Sequence, residues 1–577
     1  MQRRCSRSPM RVLAVSIVRI WMPTSPIGTA RPRVERGTSA WNTLRLPSSL
    51  AKESGSRWIP EPVHRAVCDI RRKASAGWSD FTAPCDAIPV DLFRILVSLN
   101  SAAYFARLAR ESPRLYGPTG LLDPALNREL FWFSRWTPLH PALPGIGVTF
   151  FQVLYVGAAA ASLALAAGFQ VRTLSAGLFV TAASVFRWNI PVVYLDDAMM
   201  HAMLLWLFLL PTGRTLTIPG LLKGRRDVLR CWTSAQVPGT AVRAFLVNLA
   251  LIYGVAGAWK WTSPMWRQGI ALYAGLKMAV AHDPERWSPR HLPLLRIGNY
   301  GALLLETVVP LGLLLPAGHP LKRVMGAGLL SFHLGIVATL KIPFANLACI
   351  AALALVFRDE IMAFIRSRIP DAEPDAMVPS LDVRAWLSIG LVTTIAAAML
   401  VDAVRPRWRS GTHDSVRNSV VSSRMAPGAR ENPFASMLWL AGVAQSYRLF
   451  DWIDERNYHI TYDARERGAA GRVTVLDDRE VFPRTQRDVL LQSYLHDVMW
   501  IKVPRNRLPE LQRSIFDRYA RQYCQEHGPT GTIRVDRLVQ RVDASNLDLH
   551  RPVREPFLRF TCCGKEPAIG YARLSHD

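Results

Sequence analysis

The sequence has little lysine, no cysteine pair at metal-binding spacing, and no motif that cradles a phosphate. Arginine greatly outnumbers lysine, so each lysine inside an apolar stretch is informative. The eight cysteines, Cys5, Cys68, Cys85, Cys231, Cys349, Cys524, Cys562 and Cys563, are scattered with no CxxC. That spacing argues against a metal site and gives little reason to expect a structural disulfide framework, although the adjacent Cys562 and Cys563 could oxidise. No Ser/His/Asp order, P-loop or strand-borne GxGxxG occurs, which argues against a triad hydrolase or a nucleotide-binding fold.

What is present is apolar and basic at once. Half of the 577 residues are apolar, the mean hydropathy is +0.11, and the net charge is +26. These values coexist because the two residue classes are segregated along the chain. Basic residues crowd the first ~90 positions, a few loops and the C-terminal third, with no aromatic-interleaved basic stripe, so no nucleic-acid partner is expected.

Residues 1–88 are rich in Arg, Ser and Pro, lack sustained periodicity and read as disordered. From 89 to 358 the chain reads as a polytopic membrane domain. Its candidate spans are 90–108, 148–169, 171–186, 198–210, 241–259, 297–315, 324–340 and 342–357. Several fall short of the ~20 residues that cross a bilayer unaided, so tilted or re-entrant helices are expected. Residues 359–410 hold a charged link and a further span at 386–404, which gives about eight to nine spans in all. A Ser/Arg-rich linker covers 411–431. Residues 432–577 then form a small α+β domain, with strands at 458–462, 472–476 and 532–542 and helices at 487–500 and 508–527. The fold class is therefore an all-α polytopic membrane domain followed by a small α+β extramembrane domain.

Orientation follows from short loops. Arg214, Lys223, Arg225, Arg226 and Arg230 against Asp227 place the loop after the fourth span in the cytoplasm with the N-terminus. Residues 187–197 and 260–296 then share the outer face, and the C-terminal domain is expected outside as well. The expected location is the cell (inner) membrane.

The stretch 253–273, YGVAGAWKWTSPMWRQGIALY, carries the residue of most interest. Lys260 ends an apolar helix among Trp259, Trp261 and Trp266. It reads either as an interfacial anchor or as an amine held in an apolar site, where desolvation makes it a usable base. Asp196 and Asp197 open the fourth span as first-turn carboxylates. His201 lies four residues beyond Asp197 on the same helix face. Asn189 offers a donor and an acceptor at the membrane edge. Glu306 and His333 sit mid-span in consecutive helices, where ionisable groups are costly and face the interior, so they are expected to approach one another.

Several ordered pieces resemble one family: DLFRI (91–95), LYGPTGLL (115–122), RWNIPVVYLDD (187–197), FLLPTGR (208–214), YGVAGAWKW with GIALY, LLLETVVPLGLLL (303–315) and FHLGI (332–336). Together they are similar to the horizontally transferred transmembrane (HTTM) domain family, whose relatives include the vitamin K-dependent gamma-carboxylases. LAGVAQSYRLF (440–450) resembles the start of the extracytoplasmic region of bacterial members. The resemblance implies a lysine base, falling on Lys260, that deprotonates a reduced vitamin K of the menaquinol type. Asn189, Asp197, His201, Trp259 and Trp266 would line the substrate site. Relatives commonly carry a histidine beside the asparagine, where this sequence has Arg187 and Trp188. The implied activity is carboxylase- or epoxidase-like, with the bilayer, a lipophilic quinol or small lipid, and a peptide or protein substrate as partners. The alternative is a non-enzymatic membrane component of a peptide maturation, export or assembly system, with Lys260 as an anchor.

Overall fold

The computed structural model describes most of residues 75–369, together with 382–404, 433–440 and 458–571; segments 117–119, 131–147, 189–194, 223–227, 483–507 and 542–551 and a few single positions lie outside the described residues. The chain divides into two units, Met1–Ala83 and Pro84–Asp577. Of the first, residues 75 and 77–83 are described, with a short helical stretch at 77–82.

The second unit opens with a run of apolar helices: α1 (Ala87–Leu115), α2 (Pro124–Leu130), α3 (Val148–Ala166), α4 (Val171–Trp188), α5 (Leu195–Leu209) and α6 (Thr240–Thr262). It continues with α7 (Leu292–Leu313), α8 (Pro320–Thr339), α9 (Pro343–Val356), the short α10 (Arg358–Arg366) and α11 (Val383–Val404). Among the described residues six helices, α1, α3, α6, α7, α8 and α11, are long and apolar enough to cross a membrane, and α9 is apolar but shorter. Each expected span is a helix, and most differ only at the ends. The largest difference is at the end of α1, which runs on to Leu115, and α6 runs on to Thr262, so Lys260 lies inside that helix.

Contacts between helix ends fix which ends lie together. The fully buried Arg94, near the start of α1, donates to the carbonyls of Leu165 and Ala166 at the end of α3 (2.5 and 2.7 Å) and of Leu216 beyond α5 (2.8 Å). Asp91 accepts from the backbone N–H of Gly213 and Thr215 (2.5 and 2.6 Å) and pairs with Arg94 at 3.0 Å. Gly213 needs its glycine, with φ at 91°. Cys85–Asp86 pairs with Gln236–Val237 just before α6, and Asp86 binds Arg366 of α10 at 2.6 Å. This is the Asp86 end of the bundle.

At the opposite end, Asn127 of α2 donates to the carbonyl of Arg187 in α4 at 3.2 Å, and Asp196 of α5 accepts from the N–H of Ala345 in the first turn of α9 at 2.7 Å. The Asp196 carboxylate thus caps α9, satisfying a backbone donor that a helix N-terminus leaves open. Lys260 belongs to this end, since α6 starts at the other.

After α11, the short helix Pro433–Leu440 precedes a five-stranded antiparallel sheet. Its strands are β1 (Tyr458–Arg467), β2 (Val473–Leu476), β3 (Thr532–Arg541), β4 (Val553–Cys563) and β5 (Glu566–Tyr571), in spatial order β2-β1-β3-β4-β5. Helix α12 (Leu508–His527) packs on it through an apolar face that includes Leu511, Ile515, Phe516, Tyr519 and Tyr523, against Tyr462, Phe557 and Phe560. The α+β character holds, and β4 and β5 are additions to the expected strands. The helix expected at 487–500 lies outside the described residues. A disulfide joins Cys524 of α12 to Cys562 of β4, a link that the scattered cysteine spacing does not suggest.

Candidate functional site

Small residues build the site by letting two helices touch. Gly257 of α6 lies against the backbone of Glu306 and Thr307: a Cβ there would meet those atoms at 3.1–3.2 Å, and one on Gly254 would meet Pro310 at 3.2 Å. Such glycines allow close helix approach where lipid supplies no driving force for association. The approach puts Glu306 within reach of Lys260, one turn beyond Gly257. Lys260 Nζ donates to Glu306 Oε2, and both side chains are almost wholly buried, at 2% and 3% exposure.

Aromatic faces complete the surroundings. Nζ lies 4.8 Å from the Trp266 ring centroid and 6.0 Å from that of Phe332 on α8. Rings facing a cation in this way attract it through their quadrupoles. Trp266 arrives there because α6 stops at Ser263-Pro264, where Ser263 caps the short helix Pro264–Arg267. From the segment that follows, Trp266, Ile270, Tyr273 and Leu276 are buried in one cluster with Leu292, Leu295, Leu340 and Ile342. Asn299 of α7 holds that segment in place, donating to the Trp266 carbonyl at 2.9 Å and accepting from Leu272 N–H at 3.3 Å. Trp266 Nε1 is buried and has no hydrogen-bond partner among the described residues.

A second polar group lies on the same face of α6, seven residues before Lys260. Tyr253 Oη is 2.5 Å from His333 Nε2, His333 Nδ1 is 2.8 Å from Asn346 Oδ1, and Asn346 Nδ2 donates to the Ile342 carbonyl at 2.6 Å. Phe332 links the two groups, edge-on to His333 at 5.1 Å while facing Lys260.

The expected residues therefore distribute as follows. Lys260, Glu306 and Trp266 come together; Trp259 is half-buried and Trp261 exposed, donating to Thr307 Oγ1 at 2.8 Å. Lys260 is turned inward, with its side chain 2% exposed. Glu306 and His333, expected to meet, instead reach α6 separately, Glu306 at Lys260 and His333 at Tyr253. Their positions a helix turn or more apart along α6 give each a partner of its own. Asp197 accepts from Tyr104 of α1, and His201 stacks on Phe179 of α4 with ring centroids 4.9 Å apart. Asn189 lies outside the described residues. No group of three His, Cys, Asp or Glu able to hold a metal occurs among the described residues. Tyr253, Asn299, Phe332 and Asn346 were missed from sequence. The polar residues within apolar helices, Asn299 and Asn346, were the available signal, and Tyr253 lies two turns from Lys260 on one face.

No protein-family model matches the chain, and neither does any curated protein or solved structure.

Proposed function

We propose that the chain is an integral membrane enzyme that oxidises or epoxidises a lipophilic quinol, with Lys260 as its base. The observation that carries this reading is the buried Lys260–Glu306 contact beneath Trp266, inside a bundle of membrane-length helices. A dry site penalises the ion pair. The hydrogen bond between the two groups offers the ammonium proton a path to the carboxylate. On this reading Lys260 takes a proton from an acidic hydroxyl, with Glu306 as its hydrogen-bonded partner.

The residues also suit the ligand. Aromatic walls match a flat apolar ring, and the unpartnered Trp266 Nε1 is a donor for a quinol or quinone oxygen. A quinol of the menaquinol type would supply the electrons and dioxygen would accept them; the protein's part is to bind, exclude water and handle protons. The ordered pieces from DLFRI to FHLGI, which resemble the HTTM family, support the same reading.

Sidedness follows from two features. The basic loop after α5 belongs to the Asp86 end, which we assign to the cytoplasm. Arg518 of α12 donates to the Gly120 carbonyl at 2.6 Å and pairs with Asp123 at 3.2 Å, which seats the C-terminal domain at the Lys260 end. The Cys524–Cys562 disulfide of that domain belongs in an oxidising compartment, so the Lys260 end is assigned to the outer face of a cell membrane.

The test is turnover. Purified protein in liposomes with menaquinol and dioxygen is expected to consume quinol, and Lys260→Ala to abolish that consumption. Unchanged consumption in Lys260→Ala contradicts the assignment. A second reading, a non-enzymatic component that binds a peptide or protein during maturation or export, draws on the domain seated at the same end. On that reading Lys260→Ala leaves partner capture intact.

A further inference from the structure

The polar group around His333 has a direction of proton donation that its partners fix. The Ile342 carbonyl only accepts, so the Asn346 nitrogen must face it and Asn346 Oδ1 must face His333. His333 Nδ1 therefore carries the hydrogen, Nε2 of the neutral ring is the acceptor, and the Tyr253 hydroxyl, which also meets the buried Cys349 thiol, donates to Nε2 at 2.5 Å. This is a phenol hydrogen-bonded to a base whose tautomer is held by an amide, buried on the face of α6 that carries Lys260. The two positions are about 10 Å apart along the helix axis at 1.5 Å per residue.

We propose that Tyr253 and His333 are a second proton-accepting site, serving the other hydroxyl of a ligand whose first hydroxyl is served by Lys260. The inference rests on the quinol reading and adds to it a ligand class, a flat ring with ionisable hydroxyls at both ends. Tyr253 Oη takes the proton of the second hydroxyl while its own proton passes to His333 Nε2. The ligand loses one proton, His333 becomes an imidazolium, and Tyr253 ends neutral as it began. Asn346 is a positioning residue, because it acts only by holding Nδ1–H.

The test uses the full chain in liposomes with menaquinol and dioxygen, together with nitrogen NMR of the histidines. Wild type is expected to show His333 as the Nδ1–H tautomer, assigned by its loss in His333→Gln. Tyr253→Phe and His333→Gln are each expected to lower kcat about 10²-fold, the usual contribution of a positioned acid or base, with KM little changed. The solvent deuterium isotope effect on kcat is expected to differ from wild type in Tyr253→Phe, which a merely structural hydroxyl would not produce. An Nε2–H tautomer overturns the proposal. So does an unchanged kcat in both variants while Lys260→Ala is inactive, an outcome that leaves the quinol reading standing. Wild-type protein without quinol turnover, or Lys260→Ala with full turnover, overturns both.

Discussion

Among the described residues two charged pairs are buried in the helical region, one near each end, and they are held in opposite ways. Arg94 and Asp91 bind mostly backbone: the guanidinium reaches carbonyls at the end of α3 and beyond α5, and the carboxylate reaches the N–H groups of Gly213 and Thr215. Every one of those contacts fastens a chain segment, so the pair is a clamp for the Asp86 end. Lys260 and Glu306 bind each other, between aromatic faces, in the contact of two helices. A charge committed to the backbone is architectural, because moving it breaks the fold around it. A charge whose described hydrogen-bond partner is a side chain can exchange a proton while the helices stay in place.

The sharpest way to break the comparison is to remove one member of each pair. Arg94→Ala leaves Asp91 and several carbonyls buried without their donor, and is expected to cost about 3–5 kcal/mol or prevent accumulation of folded protein. Thermal denaturation in detergent measures it. Lys260→Met strands Glu306 and is expected to cost about 3 kcal/mol, but the double variant Lys260→Met/Glu306→Leu is expected to recover most of that loss. No such recovery is expected for Arg94→Met/Asp91→Leu, because the backbone partners stay unsatisfied. Equal recovery at both ends would erase the distinction between clamp and working pair.

The disulfide extends the comparison outside the bundle. Cys524→Ser removes a link across 38 residues of sequence and is expected to destabilise the C-terminal domain by about 2–4 kcal/mol, while leaving the α6–α7 contact intact. Hydrogen exchange resolved by segment would separate the two regions.

The smallest effect is acid loosening of that domain. Burial raises the Asp463 carboxyl, but hydrogen bonds from Arg465 and Arg554 outweigh it and hold the group below its usual range. At Asp123 burial again raises, and the N–H groups of Ala125 and Leu126 with Arg518 again win. A carboxylate lowered in the folded state stabilises above its ordinary value, about 3.9, and that contribution is lost as pH falls through the lowered one. Exchange at β1 and α12 is therefore expected to quicken below about pH 4, with Arg518→Ala removing the Asp123 part.

Much of this fold was legible because membrane-length apolar runs announce themselves. The helices appear where the apolar runs are, and Leu508–His527 is the helix its periodicity predicts. The strands β4 and β5 were obscured by proline, which usually argues against a strand interior. Pro556 is tolerated in β4 beside a register shift at Val535/Asp536, and Pro567 lies in the edge strand β5. Lys260 stood out as a charge at the end of an apolar run, and Glu306 as a charge inside one. Their pairing could not be read, because it depends on Gly257 meeting the α7 backbone, a contact across 46 residues of sequence. For the same reason His333 pointed to an interior role without naming Tyr253 as its partner.

The most direct measurement of the central claim is mass spectrometry of the lipids that co-purify with the chain. Wild-type protein is expected to carry a quinone at a defined stoichiometry, and folded Lys260→Met/Glu306→Leu to have lost it. A quinone retained equally by both, or absent from wild type, would contradict the assignment of Lys260 and Glu306 to a quinol site.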